Sequence, residues 1–228
     1  MSPTHPDTFY AQTKRAAEQN VLNARGADGQ PLGTVLRLGV VYGSRIKGNY
    51  ERLTRALAVG KLGTRSQFLS FDRLRMSGKL GHVPILPVPH FPFIPVGNGL
   101  NRRTLVYDKD VGRAAALAVS HPAAAGRVFN VTDGGFHTLN EIIESICSAL
   151  GRKPPRLSLP VGPARTLIGL IEKGSNAIGI KPPVTKAIID KYTEDIAVDG
   201  SLIQKELGFV PQYDLKAGWE ETIREMRK

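Results

Sequence analysis

The chain has 228 residues, of which 41% are hydrophobic, so it is long enough to bury one sizeable core. No apolar run approaches the roughly 20 residues that a membrane-spanning helix needs, and residues 1–7 show no signal-peptide pattern, so we expect no membrane association. The net charge is +11, but no dense run of Lys and Arg with interleaved aromatics is present, so nucleic-acid binding is not expected either. Cys147 is the single cysteine, which excludes an internal disulfide and favours a reducing, cytoplasmic location.

Helical and strand patterns alternate along the sequence, which predicts an α/β fold. A first helix is predicted over residues 8–23, with Asp7 as its N-cap, and an apolar, β-branched run at 34–41 predicts a buried strand. A helix over 49–61 follows. Residues 62–90 keep neither period, so we interpret them as an atypical inserted loop.

Beyond this loop the alternation resumes, with a strand at 104–107 and a helix capped by Asp108 or Asp110. A Thr138-x-x-Glu141 capping box precedes a strongly amphipathic helix. The other predicted elements are strands at 128–131, 156–159 and 196–198 and helices at 163–173, 184–192, 201–207 and after Asp214.

Tyr10 and Lys14 are the first residues that could carry chemistry. They stand four apart on a predicted helix, so both side chains lie on one face. A nearby ammonium favours the phenolate form of a tyrosine, which can then take a proton from a substrate hydroxyl. A Tyr-x-x-x-Lys pair is common in proteins, so a catalytic interpretation of Tyr10 and Lys14 depends on the sequence motifs around them.

Those surroundings form five ordered motifs: PDTFYAQTKRAAE (6–18), LRLGVVYG (36–43), GNGLNRRTLVYDKDV (97–111), VFNV (128–131) and ELGFVP (206–211). Together they resemble the extended short-chain dehydrogenase/reductases of the NAD-dependent epimerase/dehydratase group. Within that group the chain looks most like nucleotide-sugar 4-epimerases, 4,6-dehydratases and 4-keto-sugar reductases.

The resemblance implies the C-terminal part of a Rossmann-like, doubly wound parallel sheet with a small mixed α/β substrate lobe. Residues 1–61 would belong to the Rossmann-like core, 62–90 would be the insertion, and 91–228 would supply the remaining core and the substrate lobe. The implied cofactor is NAD or NADP.

The same resemblance implies roles for six residues. Tyr10 would be the catalytic acid/base and Lys14 its electrostatic partner, and both would contact the cofactor. Leu38 and Val40 would also line the cofactor site. The resemblance further implies that Arg103 and Tyr42 bind the substrate, with Arg103 meeting the diphosphate of the nucleotide sugar.

The sequence also departs from the family pattern. The Gly-x-x-Gly-x-x-Gly turn that holds the cofactor's pyrophosphate is absent, and Gly97-Asn98-Gly99 is not followed by a predicted helix. The family's catalytic Ser or Thr should precede Tyr10 by about 10–25 residues, further than the chain extends, and residues 191–195 lack the usual second arginine. We therefore expect a chain without the cofactor-binding half, with an exposed apolar edge that makes it poorly soluble on its own.

Several functions remain open on the sequence alone. The chain could be part of an active nucleotide-sugar enzyme, a non-catalytic remnant or one half of a split enzyme, or a reductase of the same superfamily for steroids or flavonoids. A basic binding module rests on charge alone. A nucleotide sugar is the expected ligand, and a homodimer or a partner that supplies the N-terminal half is the expected assembly.

Overall fold

The computed structural model describes residues 8–58, 95–177 and 193–228, and these confirm the predicted α/β class. The predicted insertion at 62–90 and the predicted helix at 184–192 lie outside the described residues. In chain order the elements are α1 (Phe9–Asn23), β1 (Val35–Leu38), β2 (Val40–Tyr42), α2 (Asn49–Ala58), β3 (Arg102–Arg103), β4 (Leu105–Tyr107), α3 (Asp108–Ser120), a 3₁₀ helix (Pro122–Ala124), β5 (Val128–Val131), β6 (His137–Thr138), α4 (Leu139–Ala149), α5 (Val161–Ala177), α6 (Ser201–Leu207) and α7 (Leu215–Met226).

The predicted strand at 34–41 is observed as two strands that pair with different partners. β1 pairs in parallel with β5, and β2 pairs in parallel with β4. The change occurs at Gly39, which donates its N–H to the Val131 carbonyl, while the next residue, Val40, donates to the Thr104 carbonyl. A Cβ on Gly39 would lie 3.0 Å from the Thr104 carbonyl oxygen, so the two backbones approach closely where the strand changes partner.

β4 is covered by helices on both faces, as a doubly wound arrangement requires. Leu105 and Tyr107 project into a cluster with side chains of α2, α4 and α7, among them Trp219. Val106 projects to the other side, into a cluster with α3, α6 and Phe129 of β5. Alternation of side chains along a strand accounts for this division.

α4 begins as its capping box predicts. The Glu141 N–H donates to Thr138 Oγ1 at 3.2 Å, and the Thr138 N–H donates to Glu141 Oε2 at 2.7 Å. The apolar face of α4 is buried, and it includes Cys147. Burial raises the pKa of the Cys147 thiol, so this cysteine is a structural, unreactive side chain.

Two of the predicted helix caps differ from the observed ones. Thr8 is the N-cap of α1 and accepts the Ala11 N–H at 3.2 Å, while Asp7 lies outside the described residues. α3 has Tyr107 at its N-cap with no side-chain capping bond, so capping by Asp108 or Asp110 was wrong. These carboxylates lie within the first turn instead, where negative charge also favours a helix.

The last helix begins as predicted, since Asp214 Oδ1 accepts the Ala217 N–H at 2.7 Å. The predicted strands at 156–159 and 196–198 were wrong: each is reduced to a single bridge, Leu159 with Val96 and Ile196 with Arg103. In the described stretches, no helix has the length and apolar character needed to cross a membrane.

Candidate functional site

Tyr10 and Lys14 lie side by side near the start of α1. The Lys14 ammonium nitrogen is 5.8 Å from the centroid of the Tyr10 ring, and Tyr10 is 71% exposed. No residue of α1 is buried. The side chains of Tyr10 and Lys14 are therefore both accessible from the solvent.

A forked ion pair holds α1 against β1. Arg37 Nε donates to Glu18 Oε1 at 2.9 Å, and Arg37 Nη2 donates to Glu18 Oε2 at 2.6 Å. The hydrogen bond from Arg37 lowers the pKa of Glu18, and the same bond raises the pKa of Arg37. Two parallel bonds between planar groups fix orientation as well as distance, so this pair contributes to the orientation of the Tyr10 helix against β1.

Leu38 and Val40 flank Gly39, where the strand changes partner, and both are exposed. In the described part of the chain, β1 pairs only with β5. The other edge of β1 is thus unpaired in the described residues, and these two side chains form an apolar rim at the C-terminal end of β1. We refer to Leu38, Gly39 and Val40 as the apolar rim.

Tyr42 lies in the core and not on the surface. Its ring stacks on Trp219 at a centroid distance of 4.6 Å, and its hydroxyl donates to the Asp214 carbonyl at 3.5 Å. Burial raises the pKa of Tyr42, so the side chain is neutral. Its proposed role in substrate binding stays a prediction, and the contacts observed here are with core residues.

The glycine pair at Gly97 and Gly99 forms a tight turn. Both have positive φ values, of 90° and 67°, and the turn packs on the start of α4. Asn140 donates its side-chain N–H to the Asn98 carbonyl at 2.9 Å, and a Cβ on Gly99 would collide with the Asn140 side chain. The element after these glycines is the strand β3 and not a helix, so they do not form a phosphate-binding turn. Their sequence context indicates the same.

Arg103 is on β3, which pairs with β6 in a separate antiparallel ladder. Its partner across the ladder is His137, and Arg103 itself is only 7% exposed. Tyr10 and Lys14 thus lie on α1 against the β1 edge, whereas Arg103 lies on the β3–β6 ladder.

His137 and Asp133 form a pair that our sequence analysis missed. His137 Nε2 lies 2.7 Å from Asp133 Oδ2, and the side chains are 18% and 1% exposed. The hydrogen bond to Asp133 raises the pKa of His137. The only local signal was the Gly134-Gly135 doublet, since a glycine turn can bring residues four apart into contact.

Asn130 and Asp110 bond to backbone atoms of segments that are distant in sequence. Asn130 donates to the Asp199 carbonyl at 2.9 Å, and Asp110 accepts the Tyr213 N–H at 3.0 Å. The described residues contain no group of three or more potential metal ligands.

Comparison with protein-family models identifies one family for this chain. The model of the NAD dependent epimerase/dehydratase family matches residues 1–132. That range contains Tyr10, Lys14, the apolar rim and Arg103.

Two curated relatives match almost the whole chain. The UDP-glucose 4-epimerase of Vibrio cholerae is 24% identical over 96% of this chain and 54% of its own length. The N-acetyl-alpha-D-glucosaminyl-diphospho-ditrans,octacis-undecaprenol 4-epimerase of Escherichia coli O157:H7 is 24% identical over 97% of this chain and 58% of its own length. The chain thus spans little more than half the length of these relatives.

The fold matches solved structures of the same kind. The UDP-glucose 4-epimerase of Thermotoga maritima, solved with UDP-glucose, aligns with a TM-score of 0.60 and 20% identity, over 98% of this chain and 54% of that one. This likeness supports the Rossmann-like α/β architecture.

Proposed function

Because this chain belongs to the NAD dependent epimerase/dehydratase family, we propose that it carries the catalytic helix and the substrate lobe of an NAD(P)-dependent nucleotide-sugar epimerase, dehydratase or keto-reductase. The observation that carries this proposal is the Tyr10–Lys14 pair, adjacent on an exposed helix face. The sugar 4-epimerases among the relatives support the choice of substrate class.

In this proposal Tyr10 handles the proton of the sugar C4 hydroxyl. A nicotinamide, when bound, accepts the hydride from C4. The hydroxyl proton passes to the oxygen of a Tyr10 phenolate, the C4–H bond breaks with its electron pair leaving as hydride, and the C4–O bond becomes a carbonyl, so charge and electrons balance. Lys14 places a positive charge one helical turn from Tyr10 and would donate a hydrogen bond to the ribose of a bound cofactor.

The described residues fit one end of such a cofactor. Tyr10 and Lys14 offer a hydroxyl and an ammonium, and the apolar rim at Leu38 and Val40 offers a surface for a flat ring. The glycine turn at 97–99 packs on Asn140 and is not a cradle for phosphates. We therefore assign only the nicotinamide-ribose end to this part of the chain.

Arg103 is the proposed contact for the diphosphate of the substrate. Its planar guanidinium can donate two parallel hydrogen bonds to a phosphate, which a lysine cannot reproduce. The neighbouring Arg102 provides an internal comparison, since it is exposed and its guanidinium lies 3.8 Å from the Asp195 carboxylate.

Binding of the nucleotide sugar without turnover is a second candidate function. Tyr10 is 71% exposed, whereas hydride transfer needs a site from which water is excluded. In this alternative the chain acts as a nucleotide-sugar-binding module, alone or as half of a split enzyme.

Hydride transfer with Tyr10→Phe tests the leading proposal against this alternative. Wild-type chain given NAD⁺ and UDP-glucose should form NADH, and Tyr10→Phe should lower that rate by about 10²- to 10⁴-fold because the acid/base group is lost. Phe9→Leu, next to Tyr10 and even more exposed, should leave the rate unchanged. Binding of UDP-glucose without any Tyr10-dependent transfer would instead favour the second candidate.

A further inference from the structure

The β3–β6 ladder places two basic side chains next to each other. Arg103 is directly opposite His137 in this antiparallel pairing. Directly opposed residues of antiparallel strands project to the same face, with Cβ atoms about 4.5–5.5 Å apart. The side chains of Arg103 and His137 therefore lie on the same face of the ladder.

Asp133 fixes the orientation and the proton of His137. Asp133 Oδ2 lies 2.7 Å from His137 Nε2, and its other oxygen, Oδ1, accepts the Gly135 N–H at 3.0 Å. The Asp133 carboxylate is almost completely buried, so a neutral His137 would leave a buried anion with less compensation. When protonated, the ring carries a second N–H at Nδ1, which can donate to a ligand oxygen.

The charges around His137 favour the imidazolium. The hydrogen bond to Asp133 raises the pKa of His137 most, burial opposes this, and the nearby carboxylates of Glu141 on α4 and Asp214 at the start of α7 raise it further. Arg103, across the ladder, is the cationic neighbour. Three carboxylates from three different segments thus favour the charged form of His137, which lies across the ladder from Arg103.

We propose that His137 is a second cationic contact for the diphosphate that Arg103 binds, so that the affinity for a nucleotide sugar is greater when His137 is protonated. This inference rests on the proposed function. A diphosphate diester keeps two negative charges through neutral pH, and two adjacent cations match them. His137 would then make substrate affinity dependent on pH.

Calorimetric titration with UDP-glucose at two pH values tests the role of His137. The values are about pH 6 and about pH 9, on either side of the range in which a histidine with a raised pKa titrates. UDP-glucose is the right probe because it has no terminal phosphate. The terminal phosphate of UDP has a pKa of about 6, so the charge of UDP itself would change with pH. The wild-type affinity should fall by about tenfold between the two pH values, the size of one charge-assisted hydrogen bond. His137→Gln should bind more weakly at the lower pH and show no such fall.

Two further variants make the result specific. His121→Gln, which removes a histidine that caps the 3₁₀ helix by accepting the Ala123 N–H, should keep the wild-type pH dependence. Asp133→Asn should move the fall in affinity to lower pH, because the ring loses its carboxylate partner. Thermal melts of each variant confirm that it is folded.

The inference is overturned if wild-type affinity does not change with pH, or if His137→Gln keeps the wild-type change. If Arg103→Lys weakens binding while the His137 variant binds like wild type, this inference fails and the proposed Arg103 contact with the diphosphate stands. If UDP-glucose binds at neither pH, both fail.

Discussion

At the scale of single residues, Asp110 shows how a buried carboxylate can stabilise a loop without touching a ligand. It is completely buried, and its oxygens accept the Gln212 and Tyr213 backbone N–H groups at 3.0–3.1 Å and the Arg113 guanidinium at 2.9 Å. These bonds connect the first turn of α3 to the segment that leads into α7. Since α7 carries the buried Trp219, Asp110 contributes to the central packing through the backbone.

Asp110→Ala should therefore destabilise the chain strongly. Removing one partner of a buried ionic and hydrogen-bonded set costs about 3–5 kcal/mol. Urea denaturation should show this loss in the free energy of unfolding. Asp28→Asn, in an exposed turn, is the matched control and should stay within about 0.5 kcal/mol of wild type. A similarly small effect for Asp110→Ala would contradict the role given to these hydrogen bonds.

Residue-level prediction from sequence succeeded where the signal was local. The Thr138–Glu141 capping box and the Asp214 cap depend on residues three apart, and both are observed. The Asp133–His137 pair escaped prediction because it depends on a glycine turn that follows β5, and neither residue belongs to a periodic pattern. Asp110 was wrongly predicted as a possible helix cap, and its bonds to the Gln212 and Tyr213 backbone depend on contact between distant segments.

At the scale of elements, the change of strand partner at Gly39 is the feature that positions the apolar rim. Gly39 makes its backbone bond to Val131 of β5, and the next residue bonds to Thr104, beside β4. One extended segment thus connects two ladders, with Leu38 and Val40 exposed on either side of Gly39. The sequence predicted one continuous strand here, because six of the eight residues at 34–41 are apolar or β-branched and pairing between distant segments leaves no local trace.

Gly39→Val should destabilise the chain by about 1–3 kcal/mol, the usual cost of forcing extra volume into a packed site. The added Cβ would lie 3.0 Å from the Thr104 carbonyl oxygen and 3.4 Å from that of Val131, and both belong to bonded backbone. Gly48→Val serves as the control, since a Cβ there meets nothing within 4 Å. Equal melting temperatures for the two variants would show that the approach at Gly39 is not tight.

The predicted short strands at 156–159 and 196–198 are informative failures at the same scale. Residues 156–159 alternate between polar and apolar side chains and residues 196–198 form a short apolar run, yet each segment makes only one bridge. A strand needs a partner along its length, and single-sequence patterns do not reveal whether one is present.

At the scale of the whole molecule, two regions of the described surface combine several exposed apolar side chains or an unpaired strand edge. One is the apolar rim with the open edge of β1, and the other is the outer face of α5, where Leu167, Leu170 and Ile171 are exposed. Exposed strand edges and apolar stripes favour association with another chain.

We therefore predict that the purified chain associates in a concentration-dependent manner. Analytical ultracentrifugation over a range of concentrations should show a weight-average mass above the 24.7 kDa of one chain. Leu170→Glu should reduce the association if the α5 face takes part in it. A monodisperse monomer with a sharp, cooperative melt would contradict this prediction.

The account rests most directly on the binding of a nucleotide sugar through Arg103, and calorimetric titration with UDP-glucose tests it. We predict binding by the wild-type chain, a loss of about tenfold or more in Arg103→Lys, because a lysine cannot form two parallel bonds to a phosphate, and little change in Arg102→Lys. A parallel titration with NAD⁺ should show binding that is measurable but weaker than that of UDP-glucose, since only the nicotinamide-ribose end is assigned to the described residues. Failure to bind UDP-glucose, or equal effects of the two arginine variants, would contradict the account.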